Sequence, residues 1–235
     1  MSEIKVENHE IVIPGDLLAE GEFRCGDGVV KRGNSYYSTL VGLFQDKGDF
    51  IQVKSLKGKY FPRPGDLVIG KIIEVGLTSW LVDIGSPYSA ILSGNNATEK
   101  RFDPVKDDAR KIFDVGDIIL TKIISFDRTK DPTIITNERG LGKLRGGRII
   151  EIEAAHIPRV IGKKGTMINM VKRLTRTQII TGQNGRIWVQ GKKIDDELKA
   201  IESIKKIELE AHTQGLTDRI REMLSDNQQV TLGDE

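Results

Sequence analysis

The apolar positions of the first half of this chain alternate with polar ones. Over residues 1–61, short β-branched and aromatic runs are cut at close intervals by Gly, Asn and Pro. Ile11-Val12-Ile13 ends at Pro14-Gly15-Asp16, Val29-Val30 precedes Gly33-Asn34, Tyr36 to Leu43 reads as one strand, and Gly48-Asp49 separates it from Phe50 to Lys54. Short runs punctuated by turn residues predict the hairpins of an all-β unit. Pro64-Gly65-Asp66 repeats the earlier Pro-Gly-Asp turn and opens a second unit over residues 62–138. There Leu67 to Val75, Ser79 to Ile84, Tyr88 to Leu92, Ile118 to Phe126 and Pro132 to Thr136 predict five strands, the first bent at Gly70. A polar stretch from Ser93 to Ile112, with room for a short helix, interrupts the third and fourth, a spacing that fits a five-stranded Greek-key barrel.

The period changes beyond residue 138. Arg148 to Glu153 predicts a strand, and Pro158 suits the first turn of a short helix because its missing N–H is not needed there. A helix follows from about Thr166 to Leu174. Gln178 to Thr181 and Arg186 to Gln190 then form a hairpin across Gly182-Gln183-Asn184-Gly185, whose Asn-Gly is a strong turn signal. Ile194, Leu198, Ile201 and Ile204 fall on one face of a long helix. This α/β unit is expected over 139–212. Residues 213–235 predict an acidic helix, about Leu216 to Leu224, and a disordered polar tail.

Charge locates the function. The net charge is only +2, but residues 139–206 hold sixteen Lys and Arg against six Asp and Glu, an excess of +10. The other three segments, 1–61, 62–138 and 207–235, come to −1, −2 and −5. A basic field confined to one domain is the footprint of a polyanion partner, although a solvated lysine surface would show the same count. The single cysteine, Cys25, excludes an internal disulfide and a multi-cysteine zinc site. No apolar run approaches the length of a membrane span, and the polar start is unlike a secretory signal. A soluble, cytoplasmic protein without a cofactor or bound metal is the expectation.

Within the basic segment, Ile157-Pro158-Arg159-Val160-Ile161-Gly162-Lys163-Lys164-Gly165-Thr166 carries two glycines three apart around two lysines. Missing Cβ atoms at Gly162 and Gly165 allow a polymer backbone to approach, and Lys163 and Lys164 meet phosphates at the start of a helix. Arg159 is placed at the rim, and Lys172 and Arg176, four apart on the following helix, extend the basic track. Ile161 and Ile168 are assigned to the core beneath. A short Gly-x-x-Gly has little weight alone; a strand before it, helices on either side and a hairpin plus third helix after it identify a type I KH domain, whose loop clamps about four nucleotides. Enzymatic arrangements are weak. Asp103, Asp107 and Asp108 lack another metal ligand nearby, and His156 has no nucleophile or carboxylate arrangement beside it. The expectation is a protein that is not an enzyme.

The barrel segment resembles the S1-type RNA-binding repeat, an OB fold, through Gly65-Asp66, Gly70, Trp80 with Val82, Asp103-Pro104, Val115-Gly116-Asp117 and Phe126-Asp127. It departs from that family at Ala90-Ile91-Leu92-Ser93, where RNA-binding members usually carry Gly-Leu-Val-His. Trp80 and Tyr88 are left either as stacking platforms or as packing residues. The fold class is therefore multidomain β plus α/β: an N-terminal all-β domain, a five-stranded S1-type OB barrel and a C-terminal type I KH domain. Polynucleotide phosphorylase carries its KH domain before the barrel, and NusA follows the barrel with two.

A small β domain, then barrel, then one KH domain resembles the KH-bearing cap subunits of the RNA exosome, of the archaeal Rrp4 type. Val12-Ile13-Pro14-Gly15-Asp16 and Gly182-Gln183-Asn184-Gly185 also look like signatures of that family. The resemblance implies a non-catalytic subunit that binds single-stranded RNA. It would sit in three copies on a hexameric ring of RNase-PH-like subunits and feed RNA to the pore for 3'-5' degradation. A free-standing transcription or translation regulator of the NusA-like kind is the alternative.

Overall fold

The computed structural model describes residues 3–55, 59–100, 102–127, 129–211, 213 and 215–230, the side chains of 225–230 excepted. The chain forms two compact units, Met1–Gly58 and Lys59–Glu235. The first unit contains β1 (Glu3–Ile4), β2 (Ile11–Val12), β3 (Leu17–Glu20), β4 (Arg24–Cys25), β5 (Val29–Arg32), β6 (Ser35–Ser38), β7 (Gly42–Asp46) and β8 (Phe50–Ser55). They make two four-stranded sheets, β1-β3-β6-β5 and β2-β7-β8-β4. Val12, Leu18, Tyr36, Phe44, Ile51 and Val53 fill the core, and the buried Tyr36 hydroxyl donates to the Phe23 carbonyl at 2.7 Å. The expected single strand from Tyr36 to Leu43 is two strands in different sheets. The Ser38 hydroxyl donates to the Leu40 carbonyl at 2.7 Å, and this local turn breaks the run before the chain crosses over.

The second unit begins with the barrel: β9 (Leu67–Val75), β10 (Ser79–Asp83), β11 (Ser89–Ser93), the short helices α1 (Gly94–Ala97) and α2 (Ala109–Ile112), β12 (Ile118–Asp127), β13 (Lys130–Ile135) and the added β14 (Gly142–Lys143). Parallel pairing of Ile91 with Thr133 joins β11 to β13 and closes the cylinder. Period-two burial follows from closure: Trp80 and Val82 on β10 and Ala90 and Leu92 on β11 point inward and are almost wholly inaccessible. Tyr60 already belongs to this core, so the chain enters the barrel before Pro62.

The KH domain follows as β15 (Arg148–Glu151), α3 (Ile157–Ile161), α4 (Thr166–Thr175), β16 (Gln178–Thr181), β17 (Arg186–Gln190), α5 (Ile194–Leu209) and α6 (Leu216–Val230). Its sheet runs β15-β17-β16 and is buried on both faces. Ile150, Ile179, Ile187 and Val189 pack beneath the helices. The alternate residues Ile149, Ile180 and Trp188 pack on Ile69, Leu120 and Ile118 of the barrel. Burial of each large apolar side chain is worth about 1.5–3 kcal/mol, so the second face is a strong joint between the two domains.

Two helix expectations change. On α5, Ile194 and Leu198 are 63% and 48% exposed, whereas Glu197, Ala200, Ser203, Ile204 and Ile207 are buried. The helix is turned because Glu197 is drawn inward: its carboxylate accepts from the Gly191 N–H at 3.0 Å and from Arg148 Nε at 3.2 Å. The acidic helix is not an appendage, since Leu216, Ile220 and Leu224, one turn apart, enter the KH core. The disordered tail expected from residue 225 does not begin there, because α6 continues to Val230; the rest of that tail, residues 231–235, lies outside the described residues.

Candidate nucleic-acid interface

The glycine loop is built by a helix that must stop and another that must start. Pro158 sits in the first turn of α3, and Gly162 ends that helix at φ 74°, ψ 172°, a conformation almost confined to glycine. A Cβ there would lie 2.7 Å from Met167 Cβ and 2.9 Å from its backbone nitrogen. The Gly165 N–H donates to the Gly162 carbonyl at 3.1 Å, and Gly165 is the left-handed N-cap of α4 with no side chain to cap it. The Thr166 N–H, first of α4, donates to the Lys163 carbonyl and tightens the turn, which sets Lys163 and Lys164, both exposed, at the start of α4. Neither lysine forms an ion pair among the described residues. Val160, Met167, Ile168 and Val171 bury the loop's flanks in the core, with Ile161 packed at its margin. The result is a tight, positively charged turn closed by its own backbone hydrogen bonds.

The other predicted RNA contacts are distributed around it. Arg159 is exposed on α3, with Nη2 donating to the Thr213 carbonyl at 3.1 Å, so it also ties α3 to the segment before α6. Lys172 lies half-buried in the last turn of α4. Arg176 does not share a helical face with it. Arg176 is the C-cap of α4, left-handed at φ 54°, and its side chain leaves the helical spacing on which the (i, i+4) expectation rested.

The Gly182–Gly185 turn does more than close a hairpin. β10 leaves β9 after the pair Asp83–Lys71, and the turn takes over the vacated edge. Gln183 N–H donates to the Leu67 carbonyl at 2.8 Å, and Gln183 Oε1 accepts from Leu67 N–H at 2.6 Å. Asn184 Oδ1 accepts from Ile69 N–H at 3.2 Å, while its Nδ2 donates to the carbonyls of Ile69 and Ile84, each at 2.8 Å. A Cβ on Gly182 would fall 2.9 Å from the Ile69 nitrogen. Beside the turn, Arg186 donates to Asp83 Oδ2 at 2.6 Å, to the Asp83 carbonyl at 2.8 Å and to Glu151 at 2.8 Å. Burial opposes both charges, but the shared hydrogen bonds prevail: the Arg186 pKa is raised and that of Asp83 is lowered. The barrel and KH domain are latched by side chains that read each other's backbone.

Comparison with known proteins agrees with all three units. Residues 9–57 match the exosome RNA binding protein RRP4 N-terminal domain, 59–125 the RRP4 S1 domain and 147–195 a KH domain. Exosome complex component Rrp4 of Thermococcus kodakarensis is 49% identical over 226 residues, covering 95% of this chain and 88% of that protein. The chain belongs to the Rrp4 family. The Rrp4 of Pyrococcus furiosus is also 49% identical, over 95% of this chain and 86% of its own length. A crystal structure of a protein assigned to the exosome complex as RNA-binding superimposes with a TM-score of 0.69 at 39% identity, covering 74% of this chain and 99% of that one.

Within this Rrp4-family barrel, the two stacking candidates part company. Trp80 is 1% exposed, is wedged edge-to-face against Phe102 and Phe113 at 5.9 and 5.8 Å, and donates Nε1–H to the Phe113 carbonyl at 2.8 Å. It is a core residue and presents no ring face to a base. Tyr88 is half-buried at the surface. The residues that sequence reading missed are Asn184, Arg186 and Trp188. The Asn-Gly spacing announces a turn, but no local signal says that another domain's strand edge will receive it.

Proposed function

We propose that this chain is a non-catalytic RNA-binding subunit of an exosome, which captures single-stranded RNA and passes it to a pore for 3'-5' degradation by other chains. The observation that carries the reading is the Gly162–Gly165 loop: two exposed lysines with no ion pair among the described residues, at the start of a helix that no side chain caps, in a chain whose relatives are named exosome components. Arg159, Lys172 and Arg176 add charge on the same domain. Attachment belongs to the N-terminal unit. Ile11, Ile13 and Val41 are 61%, 55% and 49% exposed, and the β2–β7 register, Ile11 with Leu43 and Val12 with Gly42, sets Ile13 opposite Val41. Such an apolar patch suits a permanent partner, here a hexameric ring of RNase-PH-like subunits carrying three caps. Three modest sites around one pore raise the effective concentration of each for a captured strand.

Mixing the purified chain with such a ring tests the assignment. Co-elution, with tighter RNA capture than by the ring alone, is the expected result. Failure to associate, or cleavage of RNA by the chain alone with added metal or phosphate, refutes it.

A further inference from the structure

Arg159 is exposed in the last turn of α3, where direct contact with phosphate is the simplest role for a cation. Its surroundings give it another. α3 is five residues long, too short to hold its shape unaided, and the Gly162 N–H at its end donates to the Pro158 carbonyl at 3.0 Å. Whatever fixes Pro158 and Arg159 therefore also fixes the entry to the Gly162–Gly165 loop. On the inner side, Ile157 and Val160 are buried in the core. On the outer side, Arg159 Nη2 donates to the Thr213 carbonyl at 3.1 Å. Thr213 is in turn held by α6. Its N–H and hydroxyl both donate to the Glu210 carbonyl, at 3.0 and 2.9 Å. Arg219, near the start of α6, donates from Nε and Nη2 to Glu210 Oε2 at 3.0 and 2.8 Å, and from Nη2 to the Thr213 hydroxyl. Hydrogen bonds between ionised partners are about twice as strong as neutral ones, and Leu216, Ile220 and Leu224 anchor the helix that carries Arg219 in the core.

We propose that Arg159 is a positioning residue for RNA capture, through which Arg219 and Glu210 brace the end of α3 and so the glycine loop. The proposal rests on the RNA-binding reading above. It makes the C-terminal helix α6 part of the RNA site although that helix need not touch RNA, because a KH unit that ended at α5 would lack both the Thr213 acceptor and Arg219. It also separates the cations by task. Lys163 and Lys164 meet phosphate, and Arg159 keeps the turn that presents them in place.

Binding of single-stranded RNA by the full chain is titrated over a range of salt for Arg159→Ala, Arg219→Ala and Glu210→Ala, with hydrogen exchange followed at the Gly162 amide. Each variant should weaken binding about threefold to tenfold, the range that one net hydrogen bond allows. Gly162 should exchange faster in each, and the slope of log affinity against log salt should stay unchanged. Glu210→Ala is decisive because it makes the chain more positive, so that an effect of charge alone would tighten binding. Arg159→Ala combined with Arg219→Ala should lose little more than the larger single loss, since the two residues act in series. A slope lowered by about 0.7 in Arg159→Ala identifies a phosphate contact and overturns the brace, as does tighter binding by Glu210→Ala. Should Glu210→Ala fail to fold, Arg159→Ala, altered only at an exposed side chain, still decides. No RNA binding by the unaltered chain overturns the RNA-binding reading and this proposal with it; unchanged affinity in Arg159→Ala and Arg219→Ala overturns the brace alone.

Discussion

Replacing Asn184 by alanine tests the latch between the barrel and the KH domain. Asn184 is 7% exposed, and its amide fills three hydrogen bonds to Ile69 N–H, Ile69 C=O and Ile84 C=O, at 3.2, 2.8 and 2.8 Å. A net hydrogen bond is worth about 0.5–1.5 kcal/mol, and a buried polar group left unpaired costs about 1–3 kcal/mol. The Ile69 N–H and two carbonyls would be stranded at a dry joint, although water can reach part of the space the side chain vacates. We expect a loss of about 2–4 kcal/mol, by those same values. Asn184→Asp should be at least as damaging, because it keeps the acceptor for Ile69 N–H but sets a carboxylate against two carbonyl oxygens. Urea unfolding followed by the fluorescence of Trp188, 5% exposed at this joint, should shift its midpoint by about 1 M or more. Hydrogen exchange adds a local readout, with the Ile69 amide losing protection in both variants. An unchanged midpoint together with an unchanged Ile69 exchange rate would refute the latch.

The two loop glycines should respond differently. Gly162→Asn should destabilise the chain by about 1–3 kcal/mol, since φ 74° with ψ 172° admits glycine alone, whereas Gly165→Asn, at φ 77° and ψ 10°, should stay within about 1 kcal/mol; thermal melts of both check this. Lys163→Asp with Lys164→Asp should leave the melting temperature unchanged and lower the slope of log affinity against log salt by about 1.4, at about 0.7 for each phosphate no longer neutralised; an unchanged slope would make the loop a purely structural turn. Because the folded pKa of Asp83 is lowered from 3.8 by Arg186, its contribution is complete above pH 3.8 and is lost as pH falls through the lower folded value. Asp83→Asn should remove that acid-side loss from a pH series of urea midpoints, and an unaltered series counts against the ion pair.

Much of this architecture is legible in the residue order, because local periodicity and turn chemistry act over a few residues. The hairpin Gln178–Thr181 with Arg186–Gln190 and the strand Leu67–Val75 fall where alternation and Asn-Gly or Pro-Gly-Asp turns place them. The Gly162-Lys163-Lys164-Gly165 loop is equally local: its conformation needs glycines at fixed spacing, and its charge is read by counting. Periodicity failed where a distant partner outweighed it. Ile194 and Leu198 lie on the apolar stripe of α5, yet the helix turns Glu197 inward to meet Arg148 and Gly191.

Three further points were settled only by the tertiary structure. Trp80 and Tyr88 are both aromatic residues in a barrel, and nothing in their spacing separates them; closure puts the first inside and leaves the second at a surface groove. The strand from Arg148 to Glu151 alternates like a half-exposed strand, but on its second face Ile149 is half-buried, because it packs with Trp188 against Ile69 and Leu120 of another domain. The Gly182–Gly185 turn reads as an ordinary hairpin, and it becomes a latch because β10 stops short and leaves the backbone of β9 open at Leu67 and Ile69. The sequence by itself determined the order of the folds and the glycine-lysine loop, since each rests on chemistry within a few residues. Which surfaces remain open to RNA is decided by long-range packing, because a buried donor or ring must find a partner wherever the fold brings one.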